Sequence, residues 1–301
     1  MIVDTRKKLI SEWGAEGITY FEESIWSSSI MHSDLPRVRD FLKVNNFKYF
    51  DISIVRPQDD SIERMKFRTH YSEDGQCFST NYGITVPKNS NNLKLTIGLE
   101  GEVKNQECQD KTLYIINSLR IIFGIPIARE LMQVSNFDSK NYDVAGHHSE
   151  LGYASKFDIQ DLNLYESIEY CQLRELPVDA LILLDKAFQQ RFPDERFILM
   201  WVAFEAIINS LPNLKMNGNK RQKYFQEELA SEIVNKEIIR LRDFRHIVFK
   251  EAKFEEAKFE EAKVEEINWS LYMAIQLAML SDCPQRQAFL NGYEQYILSR
   301  S

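Results

Sequence analysis

Twelve consecutive residues, Phe197 to Ile208 (FILMWVAFEAII), contain one polar side chain, Glu205. A helix made of them is apolar on every face, so it is expected at the centre of a helical bundle. The run is too short to span a bilayer. A carboxylate in that setting needs a cation beside it or a proton on it, because burying an unpaired charge costs several kcal/mol. Glu205 is therefore expected to support a site or to lock two helices together.

The helical pattern continues on both sides. Its 3.6-residue periodicity predicts helices over Val178 to Phe192, Glu195 to Leu211, Lys220 to Val234, Lys236 to Phe249, Ile267 to Ser281 and Arg286 to Leu298. Short connections between such helices favour an antiparallel bundle over residues 177–301. The first 172 residues read differently. Helical signals at Asp4 to Trp13 and Leu35 to Val44 give way to two-residue alternation at Tyr49 to Val55 and Leu93 to Leu99. Turn signals stand at Asp74-Gly75, Asn81 to Gly83 and Pro87 to Asn92. A further helix, Lys111 to Phe123, stops at Gly124 with Pro126 beyond it. Ser135 to Leu164 is polar and weakly periodic. The expected fold class is α+β: an N-terminal mixed domain with an antiparallel sheet over residues 1–172, then the bundle, with a boundary near Gln172 to Pro177.

A chain of 301 residues, 44% of them hydrophobic, has ample material for two cores. The N-terminal MIVDTRKKLISEW lacks the apolar run and cleavage site of a signal peptide, which makes the cytoplasm the expected location and a membrane an unexpected partner. Cys77, Cys108, Cys171 and Cys283 are far apart, with neither zinc-site nor disulfide-framework spacing, and are expected as reduced, partly buried thiols. His147, His148 and Glu150 could ligate a metal but have no matching second cluster. Neither a metal nor another cofactor is expected, and no phosphate-binding glycine loop, nucleophile elbow or dinucleotide fingerprint is present.

Net charge is -8, yet its distribution is uneven. Lys215 to Lys250 holds nine Lys/Arg against five acids, a basic strip on an acidic protein. Its densest part is Ile238 to Lys250, IIRLRDFRHIVFK. At about 100° per residue, Arg242, His246 and Lys250 share an outward row beside Asp243, whereas Arg245 falls among Ile238, Leu241, Val248 and Phe249 and points inward. Glu205 is the simplest partner for an inward Arg245. The outward row has what phosphodiester cleavage needs without a metal: a histidine that exchanges protons near neutral pH and fixed cations for the developing charge. The same row also suits an RNA-binding or anion-binding surface.

Directly after the basic segment, four pentapeptides (FKEAK, FEEAK, FEEAK, VEEIN) run from Phe249 to Asn268. A five-residue period turns each Phe by about 140°, so these residues make no stripe. Pairs such as Lys253 and Glu256 support a solvated helical extension between two bundle helices, with a partner-binding arm as the other reading.

An apolar helix bearing one glutamate, followed after some 35 residues by an Arg/His helix, resembles the C-terminal domain of HEPN proteins, especially the ApeA-like group. The resemblance covers about Pro177 to Ser301. It implies a dimeric helical bundle acting as a metal-independent ribonuclease in a toxin or antiphage system, with RNA as substrate and an antitoxin or trigger protein as partner. The family's motif is an arginine, commonly a polar residue, and a histidine after four to six further positions. If Arg245 and His246 begin it, Lys250 stands where the histidine belongs. If His246 is the motif histidine, Arg240 is at a permitted distance and Leu241 replaces the polar residue. The first alignment is favoured. It implies His246 as general acid or base, Arg245 and Arg242 on the scissile phosphate, Lys250 and Arg240 as RNA ligands, and Glu205 and Asp243 as support. A catalytically inactive HEPN-like module that binds RNA or protein is the alternative, and helix packing across a homodimer is a third. The N-terminal domain would sense a trigger or select the RNA.

Overall fold

A computed structural model of the chain describes residues 2–56, 61–71, 77–86, 91–100, 105–129, 131–138, 162–190, 192–211, 224–251 and 261–300. The protein is α+β and divides into two compact units, Met1–Leu164 and Tyr165–Ser301.

In the first unit the elements run α1 (Ile2–Gly14), β1 (Ile18–Ser27), α2 (Leu35–Val44), β2 (Phe50–Val55), β3 (Ser61–Tyr71), β4 (Cys77–Val86), β5 (Asn92–Glu100), α3 (Asn105–Phe123) and β6 (Leu131–Asp138). Strands β2, β5, β1 and β6 form an antiparallel sheet in that order, and β3 and β4 form a separate antiparallel pair. Asn81 to Gly83, expected as a turn, lies inside β4. There Gly83 pairs with Arg64 and Tyr82 with Lys66, so Met65 is the extra residue of a bulge. Asp74-Gly75 and residues 87–90 lie outside the described residues, as do His147, His148 and Glu150. Ser135 to Asp138, expected to be irregular, finishes edge strand β6.

The central strand, β1, has no clean alternation in sequence because Glu22 and Glu23 interrupt it. Adjacent strand residues face opposite sides of a sheet, and the fold satisfies the two carboxylates separately. On the α1 face, Glu23 accepts hydrogen bonds from Arg6 Nε at 3.0 Å, Arg6 Nη2 at 2.5 Å and Lys94 Nζ at 3.1 Å. Beside it Phe21 stacks on Phe137, with centroids 4.8 Å apart, and on Trp13. Gly98 permits that approach: a Cβ there would stand 2.7 Å from Ile18 Cγ2. On the α3 face, Glu22 accepts only from Thr112 Oγ1 at 2.7 Å among the bonds observed, and burial pushes its carboxyl up to about 7. Helix α3 stops where Gly124 takes φ +92°.

The second unit contains α4 (Val178–Phe188), α5 (Pro193–Ser210), a π-turn (Tyr224–Glu228), α6 (Glu232–Glu251), α7 (Glu261–Met279) and α8 (Pro284–Leu298). Tyr165 to Leu176 belongs to this unit, ahead of the expected boundary, because Leu173 bridges Leu280 and Ser281 N donates to Gln172 O at 2.8 Å. The helix expected over Lys220 to Val234 is interrupted. Ala230 adopts φ +52°, and Ser231 restarts the chain as an N-cap, its Oγ accepting from Val234 N at 3.1 Å. Residues 212–223 lie outside the described residues.

Helix α5 packs against α4 and α7, but it is not enclosed on every side as expected. Ile198, Val202, Glu205 and Asn209, spaced along one face, are partly or fully exposed, with Val202 at 39%. At its first turn the fully buried Arg196 donates from Nη1 to both carboxylate oxygens of Glu265, at 2.7 and 2.6 Å. Val264 and Asn268 are also buried, and Asn268 Nδ2 donates to Pro193 O at 2.8 Å. The last pentapeptide of the repeat is thus docked on α5 instead of solvated. Residues 252–260, most of the repeat, lie outside the described residues.

Candidate nucleic-acid interface

Helix α6 carries the whole basic segment. Its inward row is Val234, Ile238, Leu241, Phe244 and Val248, all buried, and the Phe244 ring meets Phe197 of α5 edge-on at 4.7 Å. This row sets which way the charged residues face.

The first half of the helix holds a polar cluster around a buried carboxylate, with Arg240 itself exposed. Glu237 is buried and accepts from Arg240 Nε at 2.7 Å, Arg240 Nη2 at 2.6 Å, Arg300 Nη2 at 2.9 Å and the Ser270 hydroxyl. Ser270 in turn meets the buried Tyr293 hydroxyl at 2.8 Å. Burial alone would raise the Glu237 carboxyl, but the Arg240 and Ser270 hydrogen bonds and the two guanidinium charges hold it below its ordinary value. Burial pushes Tyr293 well above its own. Arg240, expected as an RNA ligand, is committed to this ion pair. Sequence reasoning passed over Glu237, although its i, i+3 relation to Arg240 was there to be read.

The second half is built differently. Arg242, Arg245 and His246 are all half-buried, so the wheel's division into an inward Arg245 and an outward Arg242–His246 row does not appear as a difference in burial. Asp243 is exposed and lies 3.4 Å from Arg242 Nη2. Lys250 is in the last turn of α6, and its side chain lies outside the described residues. Glu205 and Arg245 each have interaction partners. Glu205 is half-buried, not enclosed, so its setting is less demanding than the apolar run implied.

One residue joins the site that the sequence reading omitted. Asn235, Ile239, Arg242 and His246, spaced i, i+4, i+7 and i+11, share a stripe of α6. Asn235 Oδ1, Arg242 Nε and His246 Nδ1 are shielded from solvent and make no hydrogen bond among the described residues. Buried polar atoms are ordinarily paired, so these three are exceptions, as are Arg300 Nε and Asn268 Oδ1 elsewhere in the unit. The same helical spacing would have picked out Asn235.

Among the described residues, no group of three or more His, Cys, Asp or Glu is arranged to hold a metal ion, and no helix is long and apolar enough to cross a membrane. In comparisons with known proteins, no family model, no curated protein and no solved structure matches the chain.

Proposed function

We propose that the helical unit is a HEPN-like module that cleaves RNA without a metal, with the second half of α6 as its active site. The observation that carries this reading is that one stretch of α6 gathers Arg242, Arg245 and His246, all half-buried, with Arg242 and His246 on one stripe. In the reaction His246 takes the proton of a ribose 2'-hydroxyl or returns one to the leaving 5'-oxygen. Arg242 and Arg245 hold the phosphate and neutralise the charge that develops on it. Glu205 orients Arg245, and Lys250 adds charge further along the RNA. Two copies of the chain bring their α6 helices together, with the exposed Val202 face of α5 as part of the contact. The protein acts in the cytoplasm as the toxin of a toxin–antitoxin or antiphage system, and the N-terminal unit receives the trigger.

A second reading has its own observation. Arg240 is tied to Glu237, and Lys250 occupies the position of the family's histidine, which leaves His246 as the proton carrier on this helix. A lysine of ordinary pKa, about 10.4, holds a phosphate but shuttles protons poorly at neutral pH. The module would then bind RNA without cutting it.

One experiment separates the two. Labelled RNA incubated with the purified protein in excess chelator yields fragments ending in a cyclic phosphate under the first reading, and the yield falls to background in His246→Ala. Fragments that persist in the Arg245→Ala/His246→Ala double variant would remove the site. Under the second reading RNA is retained intact, and the salt dependence of binding flattens when Arg242 and Lys250 are neutralised. A monomeric mass in light scattering counts against the paired helices.

A further inference from the structure

We propose that Cys283 is a peroxide-reactive cysteine and that Cys171 is its resolving partner, so that the helical unit carries a reversible dithiol–disulfide site. The two residues are 112 positions apart in sequence, and nothing in their spacing pairs them. The fold brings the two residues side by side, and neither is in a disulfide. A short antiparallel ladder holds them there: Leu173 bridges Leu280, Arg174 N donates to Met279 O at 2.9 Å, and Ser281 N donates to Gln172 O at 2.8 Å.

The two sulfurs have unequal surroundings. Cys171 is fully buried, whereas Cys283 is partly exposed and stands at the N-cap of the fifteen-residue helix α8. Anions are favoured at that end of a helix. The Cys171 hydrogen bond, with the amides of Gln172, Arg286 and Gln285 nearby, pushes the Cys283 thiol down to about 5 against the opposing effect of burial. The same hydrogen bond, followed by burial, drives Cys171 the other way, so it keeps its proton. Cys108 supplies an internal contrast: burial, with Glu22 nearby, pushes it up to about 12, which makes it inert. Pro284 and Gln285, the two residues after Cys283, line a cavity of about 280 Å³, which neither cysteine lines.

The chemistry closes with a hydroperoxide as oxidant. The Cys283 thiolate attacks one peroxide oxygen, an S–O bond forms, the O–O bond breaks, and the departing alkoxide or hydroxide takes a proton from solvent. Cys283 is then a sulfenic acid, oxidised by two electrons, and the peroxide is reduced. The Cys171 sulfur attacks that sulfur, the S–O bond breaks, and the hydroxyl leaves as water with the Cys171 proton. The resulting disulfide ties the segment before α4 to the start of α8, and an external thiol reverses it.

The test uses the full chain. After brief exposure to stoichiometric hydrogen peroxide at pH 6, the remaining thiols are alkylated and peptides are mapped by mass spectrometry. The expected result is simultaneous loss of the Cys171 and Cys283 thiols, a linked peptide containing both, restoration by dithiothreitol, and an intact Cys108 thiol. In Cys171→Ser a sulfenic-acid probe labels Cys283, and in Cys283→Ser oxidation of Cys171 slows at least about tenfold. Wild-type protein in which both thiols survive the exposure, or in which Cys108 is oxidised first, overturns the proposal. That reading does not depend on how either variant folds.

Discussion

The two halves of α6 treat arginine in opposite ways. In the first, Glu237 gathers Arg240, Arg300 and Ser270 into a cluster with every carboxylate contact filled. In the second, Arg242, Arg245 and His246 share the helix with Asp243, which is exposed, and with Glu251 at its end. The difference separates Arg240, matched by a buried carboxylate, from Arg242, whose observed ion pair is to an exposed acid. A buried carboxylate ringed by donors fixes the register of α6 against α7 and α8, because Ser270 and Arg300 come from other parts of the unit. A shielded Nε or Nδ1 without an acceptor costs stability in either half, and Arg300 Nε in the first cluster is one as well.

Glu237→Ala leaves Arg240, Arg300 and Ser270 without their common acceptor, and chemical denaturation should show a loss of about 3–5 kcal/mol. The pH dependence has a definite sign. The folded pKa is below the unfolded one, so this stability is present above the ordinary carboxylate range and disappears as pH falls through the folded value. The gap between wild type and variant should therefore close in acid. A gap that is constant with pH would mean that Glu237 acts by packing alone.

Strand β1 repeats the contrast on two neighbouring residues. Glu23 has Arg6 and Lys94, whereas Glu22 has the Thr112 hydroxyl and a carboxyl raised to about 7. A raised folded pKa contributes stability below the unfolded value, near 4.5, and loses it as pH rises through 7. Glu22→Gln should melt like wild type at pH 5 and be more stable by about 2 kcal/mol at pH 8. Equal melting at both values would place a cation near Glu22 in solution. A smaller effect is expected at the repeat's docked end: Glu265→Ala strips the buried Arg196 of its carboxylate and should cost about 1–2 kcal/mol.

These sites also show what the sequence made legible. Helices α1, α2, α3, α4, α5 and α8 follow from hydrophobic period and stop signals, and Gly124 with Pro126 marks the end of α3 where the structure has it. Strand β1 was hidden because Glu22 and Glu23 look like surface residues until Arg6, Lys94 and Thr112 arrive from elsewhere in the chain. The basic face of α6 was visible as composition, since helical spacing alone groups Arg242 with His246. What Arg240 and Glu265 do was not, because each answer depends on a partner many residues away: Arg300 and Ser270 around the Arg240–Glu237 pair, Arg196 for Glu265. The Cys171–Cys283 contact is the extreme case. Local pattern reports on faces of an element, and only tertiary packing reports which faces meet.

The mildest loss of stability is expected at the proposed site. Arg242→Ala removes a guanidinium whose Nε meets no acceptor among the described residues and whose observed ion pair, to exposed Asp243, is 3.4 Å long. Such pairs contribute about 0–1 kcal/mol, and removing an unsatisfied buried donor offsets that loss. Denaturation midpoints for Arg242→Ala should therefore lie within about 0.5 kcal/mol of wild type, on either side. The same variant should bind RNA with a salt slope shallower by about one ion. Arg240→Ala should do the reverse, destabilising the fold while leaving the salt slope in place, because its charge is already matched by Glu237. If Arg242→Ala instead unfolds the protein like Glu237→Ala, the second half of α6 is structural as well, and the assignment of function to it fails.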